Sequence, residues 1–120
     1  MKRLFLFVMF LGHIGQGISA NKDSLLSVWS NAKLHDTVRL EALIQLCELP
    51  EYRSSLDTLS KYGNQLIEKA VEMGQKRYKA EGYRILSKVA TLNGDMNLAR
   101  QLMNQSLDIF KEVGYRFGEA

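Results

Sequence analysis

The chain is similar to itself when it is displaced along its own length, and this self-similarity constrains its fold more than any other feature. When the chain is displaced by 40 residues, Asn64-Gln65 aligns with Asn104-Gln105, and Gly74 aligns with Gly114. The apolar positions keep their phase between the two copies. A fixed period of roughly 20 to 50 residues indicates repeated units that stack and share one interior. We therefore expect two stacked repeats.

Each copy has the pattern of two helices. Apolar residues recur at spacings of three and four, and no segment alternates with period two for long. Pro50 predicts the end of one helix. Gly74 and Gly114 predict that two others close in the left-handed backbone conformation that glycine adopts cheaply, and Asp95 is placed to cap the next helix. The predicted fold class is all-α, with antiparallel helix pairs stacked as an α-solenoid.

The same pattern makes several local predictions. Asp36 and Thr37 are candidate N-caps, and the basic cluster at 76–79 is expected to form a solvated loop between helices. Met96 is in phase with the apolar stripe of its helix and is expected to be buried. The rest of the predicted core consists of Leu40, Leu43, Leu46, Cys47, Leu49, Leu56, Leu59, Tyr62, Gly63, Leu66, Ile67, Ala70, Met73, Ala80, Tyr83, Leu86, Val89, Ala90, Leu98, Ala99, Leu102, Met103, Leu107 and Phe110.

The segment 1–20 has the order of a secretory signal peptide. Lys2-Arg3 precedes an unbroken apolar run at 4–11. Three glycines follow this run, and the segment then ends in the small residues Ser19-Ala20, as at a cleavage site. The run is too short to span a bilayer, which needs roughly 20 apolar residues. We expect cleavage after Ala20 and export to the periplasm. The alternative is a buried N-terminal helix of a cytosolic protein, which the glycines disfavour.

The charge and cysteine content exclude several classes of protein. The segment 1–20 carries two cations and no acid, so its removal lowers the net charge from +3 to +1. Nucleic-acid binding, which needs a concentrated basic face, is not expected. The single cysteine, Cys47, excludes an internal disulfide and a cysteine-rich zinc site. We expect no metal and no cofactor.

The residues available for catalysis are few. His35 and Cys47 are the one histidine and the one thiol after Ala20. A small hydrolase that uses this pair is a remote alternative, because Cys47 falls on an apolar helix face and His35 precedes a helix. No glycine-rich phosphate loop is present, and the carboxylates are expected on outward, solvated faces. We therefore expect no catalytic residues in this chain and no enzyme activity.

The stretch at 80–111 resembles a tetratricopeptide repeat. Leu86, the Gly94-Asp95 turn, Ala99 and Ser106 stand at family positions. The resemblance implies a capping helix at 21–35, a first repeat at 36–75, a second repeat at 76–115, and the start of a further helix at 116–120.

The order of segments also resembles the exported N-terminal part of bacterial membrane-bound signalling proteins of the histidine kinase type. The resemblance lies in the signal peptide, in the short sequences at 23–26 and 36–40, and in the repeats that follow them. It implies a non-catalytic module that binds a protein or peptide in the periplasm. A membrane helix and an output enzyme would then lie beyond Ala120, so we expect the chain to be truncated. The alternative is a free-standing exported adaptor with the same repeats, and a second copy of the chain, in a homo-oligomer, is a further candidate partner.

The same resemblance places the first helix of each repeat on the concave side of the array. Arg84 and Lys88 are one turn apart on such a helix and could hold a carboxylate or phosphate by charge-assisted hydrogen bonds. The alternative is that they keep the surface soluble and pair with Glu81. The candidate binding residues are Glu41, Gln45, Glu48, Glu81, Arg84 and Lys88.

Export makes a direct prediction about the mature product. When the gene is expressed in a secreting bacterial host, the intact mass of the exported chain should correspond to a start at Asn21. A product that keeps the segment 1–20 and stays in the cytoplasm would contradict the signal-peptide assignment.

Overall fold

The computed structural model describes residues 21–52 and 54–114, and these residues form helices and no strand. The predicted all-α class is therefore confirmed. The signal peptide and the helix predicted at 116–120 lie outside the described residues. None of the described helices is both long enough and apolar enough to cross a membrane. The helices are α1 (Lys22–Ser30), α2 (Asp36–Cys47), α3 (Leu56–Glu72), α4 (Lys76–Leu92) and α5 (Met96–Glu112), with a short 3-10 turn at Pro50–Tyr52.

The last three helices follow one another at a regular interval along the chain. Each has 17 residues, and each is followed by a glycine with positive φ, which is 67° at Gly74, 83° at Gly94 and 79° at Gly114. The N–H of Gln75 donates to the carbonyl of Ala70 at 2.8 Å, and α4 ends with the corresponding bond, as in a Schellman motif. The predicted helix ends at Gly74 and Gly114 are confirmed.

The helix N-termini are capped by side chains in three cases. Asn21 accepts a hydrogen bond from the N–H of Ser24, and Asp95 accepts one from the N–H of Leu98, as predicted. The cap of α2 is His35, not Asp36 or Thr37. Its Nδ1 accepts from the N–H of Thr37 at 3.2 Å. Asp36 instead lies in the first turn, where its negative charge stabilises the helix dipole.

Small residues let α3 and α4 approach each other closely. A Cβ added to Gly82 would lie 2.5 Å from Cγ1 of Ile67 and 3.1 Å from the carbonyl oxygen of Gly63. The short connection at 73–75 makes these helices antiparallel neighbours. The position of α4 against α3 therefore depends on the absence of a side chain at this crossing.

Two buried hydroxyls hold α4 to α5. The hydroxyl of Ser87 donates to the carbonyl of Ala99 at 2.9 Å, and that of Ser106 donates to the carbonyl of Ala80 at 2.8 Å. A serine at these positions is small enough for close packing, and each hydroxyl has a partner, as a buried polar group requires. Helix α4 thus lies between α3 and α5, and it also contacts α2.

The core is made mainly by α2, α3 and α4. Leu40, Leu43, Leu46 and Leu66 are fully buried. In contrast, Met96 is 55% exposed and Leu98 is 42% exposed, so their predicted burial was wrong. Both lie in the first turn of α5, next to the short connection from α4.

The basic cluster at 76–79 is not a loop. Helix α4 begins at Lys76, because the Schellman motif completes the turn between Met73 and Gln75. Tyr78 is only 7% exposed and belongs to the core, which corrects the predicted solvated loop. Arg77 covers it, with its guanidinium 4.9 Å from the centre of the Tyr78 ring.

Replacement of Gly82 by alanine should destabilise the protein. Overpacking costs about 1–3 kcal/mol, and loss of a mid-helix glycine recovers about 1 kcal/mol, so the net loss lies within about 0–2 kcal/mol and we expect the free energy of unfolding to fall by about 1 kcal/mol. Urea denaturation followed by circular dichroism measures it.

Gly63→Ala is the matched control. The three heavy atoms nearest its Cβ would all belong to side chains, with Cδ2 of Leu86 nearest at 2.7 Å, and a leucine side chain can adjust more easily than a backbone. We expect a change near zero. A Gly82→Ala variant at least as stable as Gly63→Ala would contradict the close backbone crossing.

Candidate functional site

The polar sides of α2 and α4 meet, although α3 separates these helices in sequence. The structure places the first three predicted site residues on α2 and at its C-cap, and the other three on α4. Tyr78, which the sequence analysis did not select, joins them. We call this surface the α2–α4 face; it comprises Glu41, Gln45, Glu48, Tyr78, Glu81, Arg84 and Lys88.

One end of the α2–α4 face is held by a hydrogen bond between the helices. The hydroxyl of Tyr78 donates to Oε1 of Glu41 at 3.2 Å. Burial raises the pKa of Tyr78, and the negative charge of Glu41 raises it further. The phenol therefore stays protonated at neutral pH and remains a donor to Glu41.

The middle of the face is a partly buried ion pair within α4. Nε of Arg84 donates to Oε1 of Glu81 at 2.8 Å. Glu81 is 8% exposed, which corrects the expectation that the carboxylates all lie on outward, solvated faces. A carboxylate can be buried here because its partner lies one turn along the same helix and neutralises it.

A second carboxylate approaches Arg84 from α2. Oε2 of Glu48 lies 3.9 Å from Nη2 of Arg84, which is beyond hydrogen-bonding distance. The Glu48 side chain is 58% exposed, and a pair of this kind is worth about 0–1 kcal/mol. Among the described residues, Glu81 and Glu48 are the carboxylates that lie within 4.0 Å of the Arg84 guanidinium.

The two remaining predicted residues are exposed. Gln45 lies on the outer side of α2, and Lys88 lies one turn beyond Arg84 on α4. The side chains of both lack a hydrogen bond or ion pair to any residue of 21–52 or 54–114. The structure therefore brings together Glu48, Glu81 and Arg84, and leaves Gln45 and Lys88 as open polar groups at the edge of the face.

A signal for Tyr78 was present in the sequence. When the two copies are aligned, Tyr78 corresponds to Val38 in the first copy, which is an apolar residue and not a residue typical of loops. It also lies one helical turn before Gly82, which places it on the side of α4 that faces inward. Its neighbours Arg77 and Lys79 are cations, and the segment was therefore predicted to be a solvated loop.

His35 and Cys47 lie at opposite ends of α2. The helix separates them by about 18 Å along its axis, so they do not form a nucleophile–base pair. Burial raises the pKa of Cys47 to about 12, and the charge of Glu48 adds to this effect. Among the residues that the structure describes, no three side chains of the metal-binding types form a group.

Comparison of the chain with protein-family models, with curated proteins and with solved structures gives no significant match. The resemblance to tetratricopeptide arrays therefore rests on the residues of the sequence itself.

The state of Cys47 can be checked by its reactivity. With a pKa of about 12, the folded thiol should react with a disulfide reagent at pH 8 far more slowly than the same thiol in urea, because thiolate is the reactive form. Absorbance of the released thiol measures the rate. Rapid reaction of the folded chain would show that Cys47 is exposed and ionised.

Proposed function

We propose that the chain is a non-catalytic helical-repeat module that binds a peptide or protein ligand on the α2–α4 face. The observation that carries this proposal is the contact between two helices that are not consecutive in sequence, with polar residues of both on one surface. In a stack of helix pairs the first helices of successive pairs are neighbours, and their outer sides form a continuous surface.

The repeated geometry of the last three helices supports a stacked, tetratricopeptide-like arrangement. Helices α3, α4 and α5 have equal length, and α3 and α4 end in the same Schellman motif. The unit at 36–75 and the unit at 76–115 then form successive pairs, with 21–35 as the capping helix. The α-solenoid is the architecture that we propose for this chain.

Two cations of the face, among its three carboxylates, are the groups that would bind an anionic part of a ligand. Nε of Arg84 is fixed by Glu81, so the guanidinium is held in one orientation with its Nη groups toward Glu48. Lys88 is exposed one turn away. Arginine and lysine donate charge-assisted hydrogen bonds to carboxylate or phosphate oxygens. Gln45, on the neighbouring helix, offers an amide to a peptide backbone.

The cellular role that we propose is that of a periplasmic sensory segment in a signal-transduction protein of the histidine kinase type. The leader pattern at 1–20 supports export, and the order of segments supports the sensory role. Ligand binding would shift the packing of the stacked helices, and this shift would pass to a membrane helix beyond Ala120.

Selection of peptides from a random library against the purified chain tests the binding function. Selected peptides should bind the wild type and lose about fivefold in affinity with Lys88→Ala, as expected for one exposed charged contact. Isothermal titration calorimetry measures the affinity. Lys111→Ala is the matched control, because Lys111 is an exposed lysine on α5, away from the α2–α4 face.

Failure to select any peptide would contradict the proposal. Equal affinities for the Lys88→Ala and Lys111→Ala variants would place the ligand elsewhere on the molecule.

A further inference from the structure

The two carboxylates beside Arg84 differ in how firmly they are held. Glu81 is hydrogen-bonded at 2.8 Å with its side chain 10% exposed, whereas Glu48 is 3.9 Å away with its side chain 58% exposed. We propose that Glu48 is an internal competitor that occupies the anion-binding position of Arg84 and is displaced by the anionic group of the ligand. This inference rests on the proposed function and adds a regulatory element to the same site.

Displacement of Glu48 costs little free energy, whereas displacement of Glu81 costs much more. A half-exposed carboxylate at 3.9 Å exchanges a weak contact for water when it rotates away. Loss of the Glu81 contact would break a hydrogen bond of 2.8 Å to a carboxylate whose side chain is only 10% exposed. Arg84 therefore keeps Glu81 as its anchor and exchanges the other anion.

Displacement of Glu48 by a ligand would remove a contact between α2 and α4. Glu48 is the C-cap of α2, and its backbone N–H lies within reach of the carbonyls of Gln45 and Leu46. Its side chain spans from the end of α2 to Arg84 on α4. A ligand that binds Arg84 would remove this contact at the C-terminal end of α2, while the bond between Tyr78 and Glu41 holds the middle of the helix and Leu46 stays buried in the core. Ligand occupancy is thereby coupled to the contact between the Glu48 side chain and α4.

If Glu48 competes with the ligand for Arg84, removal of its charge should strengthen anion binding. Glu48→Gln keeps the size of the side chain and the backbone bonds of the C-cap but removes the competing charge. We expect it to lower the dissociation constant for inorganic phosphate about twofold to fivefold, as an exposed ion pair allows. The measurement is a phosphate titration of the full chain at constant ionic strength, followed by the NMR signal of Arg84 Nε–H.

Glu51→Gln controls for the change in net charge. Glu51 is exposed in the 3-10 turn that follows α2, and it has no ion pair within the described residues. Its replacement should leave the dissociation constant unchanged within error. Equal effects of the two variants, or weaker binding by Glu48→Gln, would overturn the competitor while leaving peptide binding at Lys88 intact. Absence of any phosphate response at Arg84 in both variants would overturn the anion site itself.

Discussion

The close crossing of α3 and α4 at Gly63 and Gly82 is the constraint on which the other contacts of α4 depend. A Cβ at Gly82 would lie 2.5 Å from the Ile67 side chain and 3.1 Å from the backbone of α3, so the two helices lie closer than larger residues would permit. With α4 held in this position, Ser87 reaches α5 on one side and Tyr78 reaches α2 on the other. The α2–α4 face is therefore a consequence of packing elsewhere in the fold.

The electrostatics of this face follow from unequal burial. Arg84 lies between a buried carboxylate and an exposed one, and only the buried carboxylate forms a short hydrogen bond. A buried charge must keep its partner, because solvent does not replace the lost interaction. An exposed charge exchanges its partner for water at little cost. This asymmetry fixes the guanidinium in place and leaves its outer donors available for exchange.

Much of the secondary structure could be predicted from the sequence, and the reasons are local. Glycine at 74 and 114 is needed because the helix ends there have positive φ, and Asp95 caps α5 through its own side chain. The cap at His35 was missed because histidine is not among the usual N-cap residues, although its Nδ1 accepts a hydrogen bond as a carboxylate does. Local chemistry thus predicts where helices begin and end.

The candidate site was less predictable, because it depends on contacts between distant parts of the chain. Periodicity places Glu81 on α4 but does not show that Arg84 compensates its burial. It also places Met96 in the apolar phase, although the structure leaves this residue 55% exposed in the first turn of α5. These features follow from which helices are neighbours and where each one stops.

The central claim is that α2 lies directly against α4. A nuclear Overhauser experiment on the labelled chain tests it through Tyr78 and Glu41, whose polar atoms lie 3.2 Å apart across the two helices. We predict cross-peaks between the Tyr78 ring protons and the side-chain protons of Glu41. Their absence, in spectra that show the expected contacts between α3 and α4, would contradict the α2–α4 face and the binding function that rests on it.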